Sequence, residues 1–428
     1  MTFEVVTPEG WTQSKIGRYC AVQLGKMLQS EPSSENDVLR RYLRAINISK
    51  DGLNLSHNYE MWIKQHELQK YRLCNGDVLV SEGGDAGRTT QYFSDEEMYF
   101  QNAINRIRPQ DVDVVEPRFI HYWFTFLKLA GYVDMTCNVA TLAHFTAEKV
   151  SAAPFHFPAI EIQKNIARHL DEKTEQIDGL IEKKRALLDR LVEKRQALIT
   201  HAVTKGLNPN APMKDSGIEW LGEVPEHWEM HRLKEVCADI IDCKNRTPPL
   251  VEDGDFFVIR TSCLGNGGFD PSGGYYTDLD SFEEWTKKGT PKTGDVLISR
   301  EAPIGEACLF PEGYKLCLGQ RMMLARPDFS KLNSNFLLFV IYSGIGREYV
   351  DLRKKGTTVG HLRVPEVFNF PVLLPSIPEQ EAIVEFLENY FGKASKIERE
   401  ISKSIGALIE YRSALISSAV TGRIEGLQ

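Results

Sequence analysis

The sequence predicts an α+β fold: two globular α/β domains in tandem repeat, separated by two long helices that form an antiparallel coiled coil with pseudo-two-fold symmetry. Three features carry that prediction. The chain matches itself at one offset, with a drift of one or two residues in places, over nearly its whole length. Each copy opens on short β-branched runs punctuated by Gly, Asp and Asn. Each copy then closes on a long stretch whose apolar residues alternate in steps of three and four.

The repeat is legible residue by residue. Pro8-Glu9-Gly10-Trp11 corresponds to Pro225-Glu226-His227-Trp228, an offset of 228 − 11 = 217 that Cys20 and Cys237 share. Gly76-Asp77-Val78-Leu79-Val80-Ser81 corresponds to Gly294-Asp295-Val296-Leu297-Ile298-Ser299, one residue further on. Thr141-Leu142-Ala143-His144-Phe145 returns as Thr358-Val359-Gly360-His361-Leu362. Ala197-Leu198-Ile199 and Ala202-Val203-Thr204 return as Ala414-Leu415-Ile416 and Ala419-Val420-Thr421. Chance does not hold one offset over such a span, so the chain is two copies of one unit.

Within a copy, Asp77–Ser81 and Asp295–Ser299 read as strands running into loops. The long helix of the first copy runs from about Glu161 to Thr204, and that of the second from about Ile377 to Thr421. Ser376-Ile377-Pro378-Glu379 is a capping box with Pro in the first turn, and Gly206 and Gly422 stand where the helices should stop. Heptad spacing places Leu170, Ile177, Ile181, Leu188, Leu191 and Leu198 on the seam of the first helix. Leu387, Phe391, Ile401, Ile405, Leu408 and Leu415 form the seam of the second. A lone helix with such a stripe is unstable in water. Its partner is the other helix or, alternatively, the helix's own globular domain. A helix pair of this length would hold its ends roughly 60 Å apart. The resulting divisions are 1–157 for the first domain, 158–207 for the first long helix, 208–374 for a linker and the second domain, and 375–428 for the second helix.

Composition removes several classes of function. The 428 residues carry a formal charge of −8, which excludes a polycation that coats DNA. If DNA is the partner, basic residues must gather on one face, or another subunit must supply phosphate contacts. No run approaches the roughly 18 apolar residues of a membrane span, and the N-terminus lacks a signal-peptide core, so the expected location is cytoplasmic, with no membrane partner. The eight cysteines form no CxxC pair and no zinc spacing, and read as reduced thiols, with no metal site. Cys20 and Cys237 read as small core residues. No phosphate loop of the Gly-x-x-x-x-Gly-Lys-Ser/Thr type is present. Gly265-Asn266-Gly267-Gly268 reads as a turn. Asn208-Pro209-Asn210-Ala211 lacks the aromatic that would stack on a flipped base and reads as a linker. No catalytic constellation emerges, so the chain is expected not to be an enzyme.

Four stretches carry a family resemblance. They are Met213-Lys214-Asp215-Ser216-Gly217-Ile218-Glu219-Trp220-Leu221-Gly222-Glu223-Val224-Pro225-Glu226-His227-Trp228, the paired Gly-Asp-Val-Leu strands, Pro375-Ser376-Ile377-Pro378-Glu379-Gln380, and Ser417-Ser418-Ala419-Val420-Thr421-Gly422. With them the chain resembles, over essentially its full length, the specificity subunit of type I restriction-modification enzymes. The first copy departs at Pro158-Ala159-Ile160-Glu161-Ile162-Gln163, which lacks the second Pro and blurs where its helix begins. The resemblance implies two target-recognition domains, each reading one half of an asymmetric, split site in double-stranded DNA. It implies that the helices set the gap and dock two methyltransferase subunits, and that two restriction (motor-nuclease) subunits can join. S-adenosylmethionine, ATP and Mg then belong to those partners, and this chain carries no cofactor. A repeat on an antiparallel helix pair has pseudo-two-fold symmetry, as do the two half-sites of a duplex. The competing readings are a stand-alone DNA-binding protein, which should show a strongly basic face, and a coiled-coil scaffold, which leaves two diverged loop-rich domains unexplained.

Candidate DNA contacts are polar or basic residues on protruding elements. Arg44 and Arg260 end matching strand-like runs. The Gly-Asp strands lead to Ser81 and Arg88 in one copy and to Ser299 and Arg300 in the other. Thr141 and His144, and their mates Thr358 and His361, precede the helices, while Lys244, Arg246, Lys354 and Lys355 are local basic spots. A solvated charge or an internal ion pair is the alternative for each. Positions shared by both copies suit the fold or phosphate contact; positions that differ suit base choice.

Overall fold

The repeat in the sequence is a repeat of strand order. A computed structural model describes residues 3–49, 52–56, 59–137, 144–218, 221–354 and 360–427. The chain folds as two units, Met1–Lys184 with Ser402–Gln428, and Arg185–Ile401. Each unit holds one globular domain, the first half of the long helix that follows it, and the last half of the other long helix.

In the first unit the elements are β1 (Thr12–Lys15), β2 (Cys20–Leu24), β3 (Asp37–Leu43), β4 (Tyr59–Lys64), β5 (Val78–Ser81), β6 (Thr89–Gln91), β7 (Tyr99–Phe100), β8 (Ile104–Pro109), α1 (Pro117–Leu129), β9 (Pro154–Phe157) and the long α2 (Ile160–Lys205). An antiparallel sheet has the order β2-β8-β5-β6. A second sheet has the order β4-β3-β7, with β7 parallel to β3 and β4 antiparallel to it. Strand β1 pairs with β9, just ahead of the long helix.

The second unit repeats this with β10 (Glu229–Arg232), β11 (Cys237–Asp242), β12 (Phe256–Ile259), β13 (Tyr275–Thr277), β14 (Val296–Ser299), β15 (Ala307–Leu309), β16 (Leu316–Leu318), β17 (Met322–Pro327), α3 (Ser334–Tyr342), β18 (Pro371–Leu374) and the long α4 (Ile377–Val420). Its sheets run β11-β17-β14-β15 and β13-β12-β16, with β16 parallel to β12, and β10 pairs with β18. Gly265-Asn266-Gly267-Gly268 is the expected turn, with positive φ at Asn266 and Gly267.

The repeated Gly-Asp strands are each fixed by one ion pair with a buried aspartate. Asp77, almost fully buried, takes Nε and Nη2 of Arg108 on its two oxygens at 2.7 Å each. Asp295 takes the same atoms of Arg326 at 2.8 Å each. Each aspartate also accepts a backbone N–H three residues back, from Cys74 and Lys292. A bidentate pair with every oxygen used repays its desolvation and fixes β5 to β8, and β14 to β17.

A buried glutamine fastens each long helix to its domain. Gln163 accepts from Glu116 N and donates to Val114 O and Pro158 O; Gln380 accepts from Asn333 N and donates to Lys331 O and Pro375 O. The capping box of α4 is formed, with Ser376 N and Oγ both donating to Glu379.

The far end of each helix belongs to the other copy. Gly206, after α2, has φ +74° and lies against the Trp228 ring, where a Cβ would come within 3.3 Å. Gly422, after α4, has φ +69° and lies against Trp11, where a Cβ would come within 3.0 Å. Only glycine takes that left-handed cap without strain and leaves room for the indole.

The seam positions behave as the heptads predict. Leu170, Ile177, Ile181, Leu387, Phe391 and Ile401 are buried, and Leu188, Leu191, Leu198, Ile405, Leu408 and Leu415 are half-buried. In the first unit Ile166 and Leu170 share one core with Ile416, Ala419, Val420 and the domain's Trp123 and Phe155. In the second, Ile199, Ala202 and Val203 share one with Ile383, Leu387 and the domain's Phe336 and Val372. The stripes therefore serve both partners that the sequence allows, the other helix and the domain. Asp178 of α2 meets Arg412 of α4 at 2.9 Å, while the earlier Leu170 shares its core with the later Val420, so the helices run antiparallel. Among the described residues no helix is long and apolar enough to cross a membrane.

Candidate nucleic-acid interface

Three loops meet in each domain at the ends of the Gly-Asp strand and of the central strand of the three-stranded sheet. In the first domain they are the turn after β3, the loop from β5 to β6, and the segment at His144. Arg88 Nη1 donates to Ile48 O at 3.2 Å, and Phe145 N to Glu82 O at 2.8 Å. In the second domain Asn266 N donates to Glu306 Oε2 at 2.8 Å, Thr261 Oγ1 to Ala302 O at 3.2 Å, and Leu362 N to Arg300 O at 2.9 Å. The staple between the first two loops is thus an arginine in one copy and, at the matching position (306 − 88 = 218), a glutamate in the other.

Arg44 and Arg260 are the first residues beyond β3 and β12. Both are exposed. The Arg44 guanidinium lies 4.9 Å from the Tyr59 ring, and that of Arg260 lies 6.0 Å from Tyr275. Arginines and tyrosines share one offset, 260 − 44 = 216 and 275 − 59 = 216. Neither arginine has an ion pair among the described residues. A ring beneath a guanidinium limits its rotamers while its donors stay open to solvent. The tyrosines were not singled out from sequence, although the shared offset of 216 is the signal that finds them.

The other candidates are placed as follows. Ser81 and Ser299 are buried, and their hydroxyls donate within their own loops, to Gly83 O and Glu301 O. They hold loops and do not face solvent, which corrects the reading of them as contacts. Arg88 is ion-paired to Asp85. Arg300 is largely buried, 3.4 Å from Asp242. Lys244 and Arg246 both pair with Glu284 and both lie 4.9 Å from the Trp285 ring. The Lys244 hydrogen bond holds the Glu284 carboxyl below its usual range. Arg300, Lys244 and Arg246 are therefore internal ion pairs. His144 is exposed beside Gly83, and His361 sits 2.5 Å from Glu301, whose other oxygen is 2.7 Å from Arg321. Thr141, Lys355 and Thr358, and the side chain of Lys354, lie outside the described residues.

None of the cysteines is disulfide-bonded, and burial pushes the thiols of Cys20 and Cys237 up to about 12. Among the described residues no group of His, Cys, Asp and Glu could hold a metal.

Comparison with known proteins gives one consistent answer. A family model described as the type I restriction modification DNA specificity domain matches residues 8–190 and 225–407. Starts and ends of the two matches both differ by 217, since 225 − 8 and 407 − 190 agree. The type I restriction enzyme MjaVIII specificity subunit of Methanocaldococcus jannaschii is 24% identical, over 71% of this chain and 70% of that protein. The type I restriction enzyme EcoBI specificity subunit of Escherichia coli is 21% identical, over 81% of this chain and 73% of that one. Two solved structures share the fold. One is a chain of the type I R-M system solved for its complex assembly and conformational transition (TM-score 0.73, 17% identity, 99% of this chain and 100% of that chain). The other is the HsdS subunit from Thermoanaerobacter tengcongensis (TM-score 0.54, 18% identity, 98% of each chain).

Proposed function

Since the chain belongs to the type I restriction modification DNA specificity family, we propose that Arg44 and Arg260 anchor its two domains on the two halves of a split DNA site. The chain is the DNA-reading, non-catalytic subunit of its system. The observation that supports the anchors is their matched setting: exposed, within 6.0 Å of a tyrosine ring, and without a carboxylate partner among the described residues. A feature shared by both copies suits the phosphate backbone, which is the same at both half-sites. The overall charge of −8 fits a subunit that borrows phosphate contacts from partners and disfavours the stand-alone binder.

Two methyltransferase subunits dock on the helices, and two restriction subunits join them. Repeated exposed apolar positions support the number two. Leu180 and Ile397 are mates at 217, as are Val192 and Ile409, and all four are exposed large aliphatics on α2 and α4. Duplicated patches suit two copies of one partner. S-adenosylmethionine, ATP and Mg reside on those partners, and the assembly works in the cytoplasm.

DNA binding by the chain assembled with a methyltransferase subunit, titrated with salt, tests the anchors. Each phosphate contact contributes about 0.9 to the slope of log K against log salt. Arg44→Ala and Arg260→Ala should each lower the slope by about that amount, and the double variant by about twice it. An unchanged slope in the double variant removes both residues from the backbone. The gap is tested by inserting four residues near Thr200 or Ser417, which adds about 6 Å and about one turn of helix. The methylation map should then show a gap longer by about one or two base pairs at about 3.4 Å each, with both half-sites kept. An unchanged gap with full activity means that the helices are not the ruler.

A further inference from the structure

The turn after Arg44 differs between the copies at one outward-facing position. Residues 45–47 form a single 3-10 turn, and residues 261–263 form its counterpart after Arg260. The middle residue of each is exposed: Ile46, at 66%, and Ser262 at the matching position, 262 − 46 = 216. The turn that carries Ile46 is fixed. Asn47 is fully buried, accepts the Arg44 N–H at 2.8 Å and donates to Asn54 O at 2.7 Å. A backbone held at both ends presents its middle side chain in one place, two residues from a cation with open donors.

Ile46 belongs to neither apolar cluster of its domain. Its environment in the free protein is water, so its apolar surface is unused until something covers it. On a duplex, the chemical complement of a branched aliphatic in the major groove is the thymine 5-methyl group. We propose that Ile46 is a specificity-determining residue that packs on a thymine methyl in the half-site read by the first domain. Ser262, polar at the same place, gives the second half-site no such preference. Arg44 positions the domain and Ile46 selects the base, the division of labour expected of a shared and a diverged position. The inference rests on the assignment of this loop cluster to DNA.

The test uses the full chain assembled with a methyltransferase subunit and duplexes in which each thymine of the mapped site is replaced, one at a time, by deoxyuridine. That exchange removes the methyl group and nothing else. The unsubstituted chain should lose about four-fold in affinity at one thymine of the first half-site, the worth of one methyl group taken from water. Ile46→Ser should bind thymine and deoxyuridine duplexes equally there and leave the second half-site unaffected. Arg44→Ala should weaken both duplexes and keep their ratio. Indifference of the unsubstituted chain to deoxyuridine throughout the first half-site overturns the proposal. So does an Ile46→Ser ratio equal to that of the unsubstituted chain, whether Ile46 then serves as a wedge between bases or as a contact to another subunit. A complex with no preference for any split site overturns the DNA-reading assignment as well, and is told apart by its failure on unmodified duplexes.

Discussion

Where each domain rests on the long helices, the two units use the same positions and opposite chemistry. In the first, Tyr122 of α1 donates to Asp171 of α2 at 2.7 Å and sits 3.3 Å from the Thr174 hydroxyl, while Arg118 donates to Asp171 at 3.0 Å. In the second, Phe339 takes the place of Tyr122 and Phe391 that of Thr174, with ring centroids 6.0 Å apart. Arg412 pairs with Asp178 in the first unit, and its mate Arg195 lies 4.5 Å from the Phe391 ring in the second. By contrast the Asp–Arg pair and the helix-fastening glutamine are alike in both. The difference teaches where the repeat is constrained. Buried backbone donors and acceptors must find a partner of one shape, so the groups that satisfy them persist. A packed face needs only volume and mutual satisfaction, so it drifts between polar and aromatic solutions.

The largest expected effect tests the shared part. Asp295→Ala should cost about 3–5 kcal/mol in denaturant unfolding of the second unit, because it strands a largely buried arginine. Asp77→Ala should fall at the lower end of that range, since Arg108 is the more exposed cation of the two, at 33% against 17%. A near-zero cost in either unit would break the claim that this pair is the common lock. Next comes the diverged face. Phe391→Ala should destabilise the second unit by about 3 kcal/mol through cavity formation, and Thr174→Ala the first by about 1 kcal/mol through a lost hydrogen bond. Equal costs would mean that the two junctions are not chemically distinct.

The last comparison is one of pH. His121 of α1 is held down to about 4 by burial, with the charge of Arg412 adding to it, and its mate in the second unit is Leu338. Unfolded histidine titrates near 6.5. A depressed folded value means that the unfolded chain binds the extra proton. This contribution is therefore complete above about pH 6.5 and is lost as pH falls from there through about 4. Thermal unfolding followed across that window should show acid weakening of the first unit that His121→Leu reduces. The same slope in the variant would assign the weakening to other groups.

Much of this architecture was legible because the chain states it twice. Helix ends, the Gly-Asp strands and the arginines beyond β3 and β12 all recur at offsets of 216 to 218, and a pattern seen twice is hard to misread. What was not legible depends on partners distant in sequence. Ser81 and Ser299 end strands like any loop-facing residue, and nothing local announces that both are buried. Lys244 and Arg246 look free until Glu284, about forty residues on, arrives beside them. Arg108 and Arg326 each precede a proline at the 218 offset of the Gly-Asp strands, yet a lone arginine in a strand gives no hint of the carboxylate across the sheet. The heptads predicted the seam, yet could not say that the same stripe also roofs each domain's core.

The exchange of tryptophans and glycines has a consequence for the order of events during synthesis. Trp228 and Gly206 are 228 − 206 = 22 residues apart, whereas Trp11 and Gly422 are 422 − 11 = 411 apart. Closing the longer loop costs more chain entropy by about (3/2)RT ln(411/22), or about 2.6 kcal/mol. The second unit is also one continuous segment, while the first is completed only by residues beyond 401. A nascent chain therefore makes its first domain early and waits to finish it. Until Ile416, Ala419 and Val420 emerge, the core around Trp123 and Leu170 stands open on one side. The half of the protein that leaves the ribosome first is the half that needs shelter longest.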